Sequence, residues 1–387
     1  GICRGQSLEL QIWVTWCALP DVSILRNAAG NILIRSERFD TLLVEYFNLQ
    51  RVLHNPGFTG DTKALAQSAV AKWFAEFLLG LRQPQLALYS FERHRAYEQP
   101  FPNHTFRDEA LASVPELEKA ALQCFCLAHE IAHIIYPPRN GMDLDFVCDG
   151  MSLRTHLTWE IRQMGLDPDV QEAMVAEMAE QMDFDLLVAE IDADVSALGT
   201  IASFLPKVFD VSRAEAMRAA LTALQAQSFL NGCKNSCRLL QRHIRAGLDR
   251  EDFTRLDWIE GQYVVARTRV ALRRAGLLLY MWDKEDGLTR EPDEYRVEVD
   301  AMFTDVQDFL MVVSQAAFDE TERLYKAAES VRIDQSTEAL DREIARVLTD
   351  SDERMALFYI LVAMGYPGGI LLDLGGLLRG LARINTA

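Results

Sequence analysis

Two histidines and a glutamate stand in an otherwise apolar stretch of the chain, CLAHEIAHIIYPP (residues 126–138). His129 and His133 are four residues apart, so on a helix both imidazoles lie on one face and can bind a common ion. Glu130 lies beside them, within reach of a water molecule on that ion. Because burying such groups without partners is costly, this spacing predicts a zinc site with Glu130 as its general base.

A zinc site of this kind needs a further protein donor, because two histidines leave a tetrahedral ion short of ligands. A third histidine of the metzincin type would require Gly at position 136 and His at 139, where the chain has Tyr136 and Arg139. In sites of the gluzincin type, that donor is instead a glutamate on a second helix, followed four residues later by an aspartate. Of the glutamates between residues 134 and 200, only Glu190 meets this condition, with Asp194.

Glu190 and Asp194 lie one helical turn apart within the apolar stretch DLLVAEIDADVSALG (residues 185–199). Two carboxylates on a buried face need a cation or hydrogen-bond donors nearby. Asp143 or Asp145 would replace Glu190 as the third donor if the loop that carries them folds back onto the site.

The two motifs together, HEIAH followed by EIDAD, resemble the HExxH and ExxxD motifs of the gluzincin metallopeptidases. The resemblance covers two short helical segments only. Carried over residue by residue, it implies His129, His133 and Glu190 as zinc ligands, Glu130 as general base and acid, and Asp194 as the partner that orients His129. Among bacterial branches of this class, the phage-exclusion type peptidases have a similar motif.

Peptide hydrolysis at such a site also uses a donor for the oxyanion. The candidate donors are Tyr136, His156, His243 and Tyr263, and the sequence does not rank them. The segment NILIR (residues 31–35) is a candidate edge strand along which an extended peptide substrate would pair.

The elements that must position these groups are mainly helices. Strand signals are confined to the first hundred residues, in LELQIWVTW (8–16), NILIRS (31–36) and, more weakly, LALYSF (86–91). The active-site helices are predicted at 113–136, opened by Ser113 and Glu116, and at 168–205, where one long helix or a helix pair is ended by Pro206. A capping box of Ser212 and Glu215 begins the next helix.

The predicted fold class is α+β and predominantly α-helical, with a zincin-like catalytic core that includes a small N-terminal sheet. The polar segment DKEDGLTREPDE (283–294) divides the chain into a metallopeptidase domain, residues 1–285, and a helical C-terminal region, residues 290–387.

Composition limits the partners of this chain. The 387 residues are 49% hydrophobic and have a formal net charge of −18, without a concentrated basic stripe, which argues against nucleic acid. No apolar run is long enough for a membrane span; the apolar segment 356–382 is interrupted by Pro367 and glycines. Seven cysteines, an odd number, fit reduced thiols in a cytoplasm better than a disulfide framework. The pair Cys233 and Cys237 is more typical of helix packing than of a metal site.

The expected function is therefore that of a zinc-dependent intracellular peptidase that acts on a protein or peptide substrate, with few targets, in stress or phage response. One alternative is a non-catalytic regulatory or scaffold protein that retains structural zinc. Another is a peptidase docked on a membrane through its C-terminal segment. The presence of Glu130 favours catalysis, because a purely structural site has no use for a base beside the metal.

Overall fold

The computed structural model describes a large part of the chain. The described residues are 10–15, 22–27, 30–54, 58, 60–81, 83–98, 115–135, 158, 162, 167–181, 184–287, 290–304 and 307–331. For the strands and a few helical positions, only the backbone is described.

Ten helices lie within these ranges and form most of the molecule. They are α1 (Glu37–Leu53), α2 (Thr62–Gly80), α3 (Pro84–Glu98), α4 (Glu116–Ile135), α5 (Pro168–Gln181), α6 (Phe184–Phe209), α7 (Arg213–Ala246), α8 (Arg250–Glu285), α9 (Pro292–Thr304) and α10 (Gln307–Val331).

The predicted fold class, α+β with a zincin-like core containing a sheet, is wrong. Among the residues whose side chains the structure describes, 91% are helical and none lies in a strand, so the fold is all-α. Three short strands, described by their backbone alone, precede these helices: β1 (Leu10–Thr15), β2 (Val22–Asn27) and β3 (Gly30–Ser36). The described hydrophobic core consists of helical residues and of residues in the short turns between helices.

Two details of the strand predictions are also wrong. The segment LALYSF lies inside α3, where Leu86 and Ala87 are buried one helical turn from Phe91. Alternation in so short a segment does not separate a strand from a buried helix. The proposed edge strand is central: β3 pairs in parallel with β1 and antiparallel with β2, so both of its edges are occupied.

An aromatic cluster ties the first helices to the last described one. Tyr46 of α1 lies 6.1 Å from Trp73 of α2 and 5.1 Å from Phe309 of α10, measured between ring centroids. Phe229 of α7 contacts both Tyr46 and Trp73. All but Phe229 are almost fully buried, and one core cluster includes residues from both sides of the predicted division near residue 285. That division stays a prediction.

The boundaries of the site helices follow from local chemistry. Asp167 accepts a hydrogen bond from the backbone of Asp169 where α5 begins. Contrary to prediction, Pro206 does not end the second active-site helix: α6 continues to Phe209, because loss of one backbone donor does not prevent a last turn. The Ser212 and Glu215 capping box at the start of α7 is confirmed, with both reciprocal hydrogen bonds present.

The described helices include none that is both long and apolar enough to cross a membrane. The segment 356–382 lies outside the described residues.

Candidate metal centre

Helices α4 and α6 pack against each other and carry the two predicted motifs. His129 lies in the last two turns of α4 and is 2% exposed. Its ring stacks near that of Phe125, one turn earlier, at 6.4 Å between centroids. Ile191 and Leu187 of α6 are fully buried, which places Glu190 on the inward side of that helix. The apolar faces of both helices therefore bring the motifs together.

The side chains of His129, His133 and Glu190 form a close triangle. Nε2 of His133 lies 3.1 Å from Nε2 of His129 and 3.3 Å from Oε1 of Glu190. Nε2 of His129 lies 3.4 Å from Oε2 of Glu190. The described residues contain no other group of three histidine, cysteine or carboxylate side chains this close together.

This triangle fits a zinc ion in both chemistry and size. Two imidazoles and one carboxylate are a donor set used by catalytic zinc sites. Donors at the zinc distances of about 2.0–2.1 Å in a tetrahedron are separated by about 3.3–3.4 Å. The two Nε2 atoms are 3.1 Å apart, and Oε1 of Glu190 lies 3.3 Å from Nε2 of His133, so both separations are close to this spacing. Asp143 and Asp145, the alternative third donors, lie outside the described residues.

Asp194 stands behind His129, on the side away from the triangle. Its Oδ1 lies 2.9 Å from Nδ1 of His129, and the side chain is fully buried. A carboxylate in this position favours the tautomer with the proton on Nδ1, leaving Nε2 of the ring free to bind a metal. The orienting role of Asp194 stays a prediction.

The charges of the site favour a cation at His129. Burial lowers the pKa of this histidine, but its contacts with Asp194 and Glu190 outweigh burial and raise the pKa to about 9. Burial likewise raises the pKa of Glu190, and the two histidines and a neighbouring arginine reverse this, so that the pKa lies well below its usual range. Surroundings that hold a proton on an imidazole this firmly also stabilise a metal ion in its place.

Glu130 follows His129 directly on α4 and is partly exposed. Consecutive helical residues are about 100° apart around the axis, so its side chain leaves α4 beside that of His129, and it is not part of the triangle. This position beside the donors, with access to solvent, suits a group that exchanges protons with water.

Of the candidate oxyanion donors, His243 is the one whose side chain is described. Its Nδ1 lies 2.6 Å from the carbonyl oxygen of Leu248, and its ring packs against Phe253 and Tyr325. Phe253 precedes Arg267, which contacts the site, by 14 residues on α8, about 21 Å along a helix. His243 is therefore a packed residue at a helix end, distant from the triangle. Tyr136 and His156 lie outside the described residues, and Tyr263 is described only by its backbone.

Arg267 is the residue of this site that the sequence patterns did not predict. Its Nε and Nη2 lie 2.5 Å and 2.7 Å from the two carboxylate oxygens of Asp194, and its Nη1 lies 2.7 Å from Oε2 of Glu190. One signal was available: Arg267 shares a helical face with Val270, Ala271 and other buried apolar residues, where an arginine needs a buried anion.

No family model, curated protein or solved structure gives a significant match to this chain.

Proposed function

We propose that this protein is a zinc-dependent peptidase that hydrolyses peptide bonds with a metal-activated water. The observation that carries the proposal is the triangle of His129, His133 and Glu190, whose donor atoms are spaced for a zinc ion. Glu130 beside it distinguishes a catalytic from a structural site, because a structural zinc ion needs no adjacent base.

The residues of the site divide the work of hydrolysis. His129, His133 and Glu190 would hold the ion, with Asp194 fixing the ring of His129. Zinc held in this way supplies a Lewis acid and a water molecule of lowered pKa. Glu130 takes the proton of the attacking water and later delivers it to the nitrogen of the leaving amine. The peptide bond as target comes from the resemblance to gluzincins, and the donor set itself fits hydrolysis in general.

A reducing compartment such as the cytoplasm is the proposed place of action. Four of the seven cysteines fall within the described residues, and all four are thiols that form no disulfide there. Cys233 and Cys237 are buried on one face of α7 and make no metal site with other described residues. Thiols of this kind persist in reducing compartments. The strong negative charge favours protein or peptide substrates over nucleic acid.

The proposal is tested with Glu130→Gln, which removes the base and keeps the shape. The matched control is Glu116→Gln, the same change at an exposed position in the first turn of the same helix. Zinc content is measured by elemental analysis in the wild type and in both variants. Each is then incubated with a cell extract, and new protein N-termini are quantified by mass spectrometry.

We expect one zinc ion per chain in all three proteins, and new N-termini with the wild type and Glu116→Gln only. Loss of a general base typically lowers rates by about 10²- to 10⁴-fold, and a zinc chelator should abolish the remaining cleavage. Cleavage by Glu130→Gln at the wild-type rate would contradict the mechanism. Bound zinc without any cleavage would instead favour the regulatory or scaffold protein with structural zinc.

A further inference from the structure

Arg267 bridges the two carboxylates of the candidate metal centre. Its planar guanidinium makes two contacts with Asp194, at 2.5 Å and 2.7 Å, and a third with Oε2 of Glu190 at 2.7 Å. The arginine is 6% exposed, so these contacts are shielded from water. It comes from α8, whereas both carboxylates come from α6, so it fixes their positions from outside their own helix.

Arg267 matters most as the counter-ion of Asp194 when a metal is bound. Asp194 is fully buried, and its other close contact is with His129. A histidine that binds zinc is neutral, so it orients the aspartate without balancing its charge. Arg267 is then the permanent counter-ion among the described contacts of Asp194, and it holds that acceptor in place against the Nδ1 side of the ring.

The contact with Glu190 distinguishes the two oxygens of that carboxylate. Oε2 pairs with Nη1 of Arg267 at 2.7 Å and lies 3.4 Å from Nε2 of His129, whereas Oε1 faces Nε2 of His133 at 3.3 Å. On the basis of the proposed zinc site, we propose that Arg267 is a positioning residue: it holds Asp194 and Glu190 in the ligand-binding arrangement and leaves Oε1 of Glu190 for the metal. The rigid fork of an arginine performs both tasks at once, and a lysine has no equivalent geometry.

The positioning role and simple electrostatics predict opposite effects on zinc affinity when Arg267 is removed. A positive charge beside a cation site repels the ion, so its removal would tighten zinc binding if charge alone mattered. If positioning dominates, its removal weakens binding. Arg267→Lys separates the two effects, because it keeps the charge and loses the fork.

The experiment measures zinc affinity at pH 7 by competition with a chromogenic chelator, in wild type, Arg267→Lys and Arg267→Gln. The matched control is Arg274→Lys, since Arg274 pairs with Asp192 at 2.9 Å between the same two helices but in a more exposed position. Circular dichroism confirms the fold of each variant. The visible spectrum of the cobalt-loaded proteins reports the coordination geometry, which a merely structural role would not change.

We expect both Arg267 variants to bind zinc about 10- to 100-fold more weakly and to show an altered cobalt spectrum. The control should stay within about twofold of wild type. In zinc-loaded wild type, the side-chain Nε–H of Arg267 should exchange slowly with solvent by NMR, a test that needs no variant to fold.

Three results would overturn the positioning role: Arg267→Lys binding zinc as wild type does, Arg267→Gln binding it more tightly, or rapid exchange of the Nε–H in the zinc-loaded protein. A wild type that binds no zinc would overturn this role and the proposed function together. Zinc binding that depends on Arg267, without hydrolysis that depends on Glu130, would overturn the proposed function alone.

Discussion

Nε2 of His133 lies 3.3 Å from Oε1 of Glu190, although 57 residues (190 − 133) separate them in the sequence. The contact joins the last turn of α4 to the second turn of α6, so the motifs meet only because these helices pack. A histidine and a carboxylate at this distance can share a proton or a metal ion. Removal of the Glu190 carboxylate distinguishes a shared metal ion from a shared proton.

Glu190→Gln is expected to lower zinc affinity by more than about 100-fold, because loss of an outer partner of a ligand alone costs about 10- to 100-fold. The matched control is Asp192→Asn, two residues further on α6, where the carboxylate pairs with Arg274 and is about half exposed. Isothermal titration of the metal-free proteins with zinc measures both. Equal affinities in the two variants would show that Glu190 does not hold the ion.

The sequence predicted the parts of the site that depend on local spacing. His129 and His133 share a helical face because they are four residues apart, and Glu190 with Asp194 follows the same rule. Arg267 lies 73 residues after Asp194, on a helix whose packing no local pattern specifies. The sequence indicated that the two carboxylates need a cation or hydrogen-bond donors, but it did not identify Arg267.

The errors in the fold have a related cause. Segments rich in β-branched and aromatic residues predicted a sheet as part of the catalytic core. Which side chains are buried, however, depends on which faces meet in three dimensions. The segment LALYSF forms part of the helix α3 instead of a strand. Helix α4 has a long apolar stripe and was predicted near its observed position, since a 3.6-residue period sustained over several turns is typical of an amphipathic helix and of no strand.

A second buried charge cluster permits a prediction about stability. Lys72 of α2 forms ion pairs with Glu45 of α1 and, at 3.6 Å, with Glu76, and all three residues are buried. Trp73 adds a hydrogen bond to Glu45 at 3.1 Å. The lysine is thus the cation shared by two carboxylates within the core.

Lys72→Met should destabilise the protein by about 3–5 kcal/mol, because it leaves buried carboxylates without their cation. Lys63→Met, the same change at an exposed position of the same helix, should change the free energy of unfolding by less than about 0.5 kcal/mol. Urea denaturation at pH 7 measures both variants. Similar values for the two would mean that the ion pairs of Lys72 contribute little.

The buried histidine of α3 makes stability depend on pH independently of the metal site. His94 is 6% exposed, and its Nδ1 lies 2.9 Å from the hydroxyl and 3.0 Å from the carbonyl oxygen of Ser68. Burial and the nearby charge of Lys72 lower the pKa of His94 from 6.5 to about 4. The folded state therefore keeps this ring neutral over a range in which the unfolded chain binds a proton.

The direction of the pH effect on stability follows from that difference in proton binding. Above pH 6.5 the ring is neutral in both states, and as the pH falls from 6.5 towards 4 the unfolded state alone gains a proton, so stability is lost. Between pH 7 and pH 5 this histidine should cost the folded state about 2 kcal/mol. His94→Gln should remove that part of the pH dependence, whereas His54→Gln, at an exposed position, should retain it. Urea denaturation of the three proteins at pH 7, 6 and 5 gives the comparison, and parallel pH curves for wild type and His94→Gln would show that His94 does not titrate in this way.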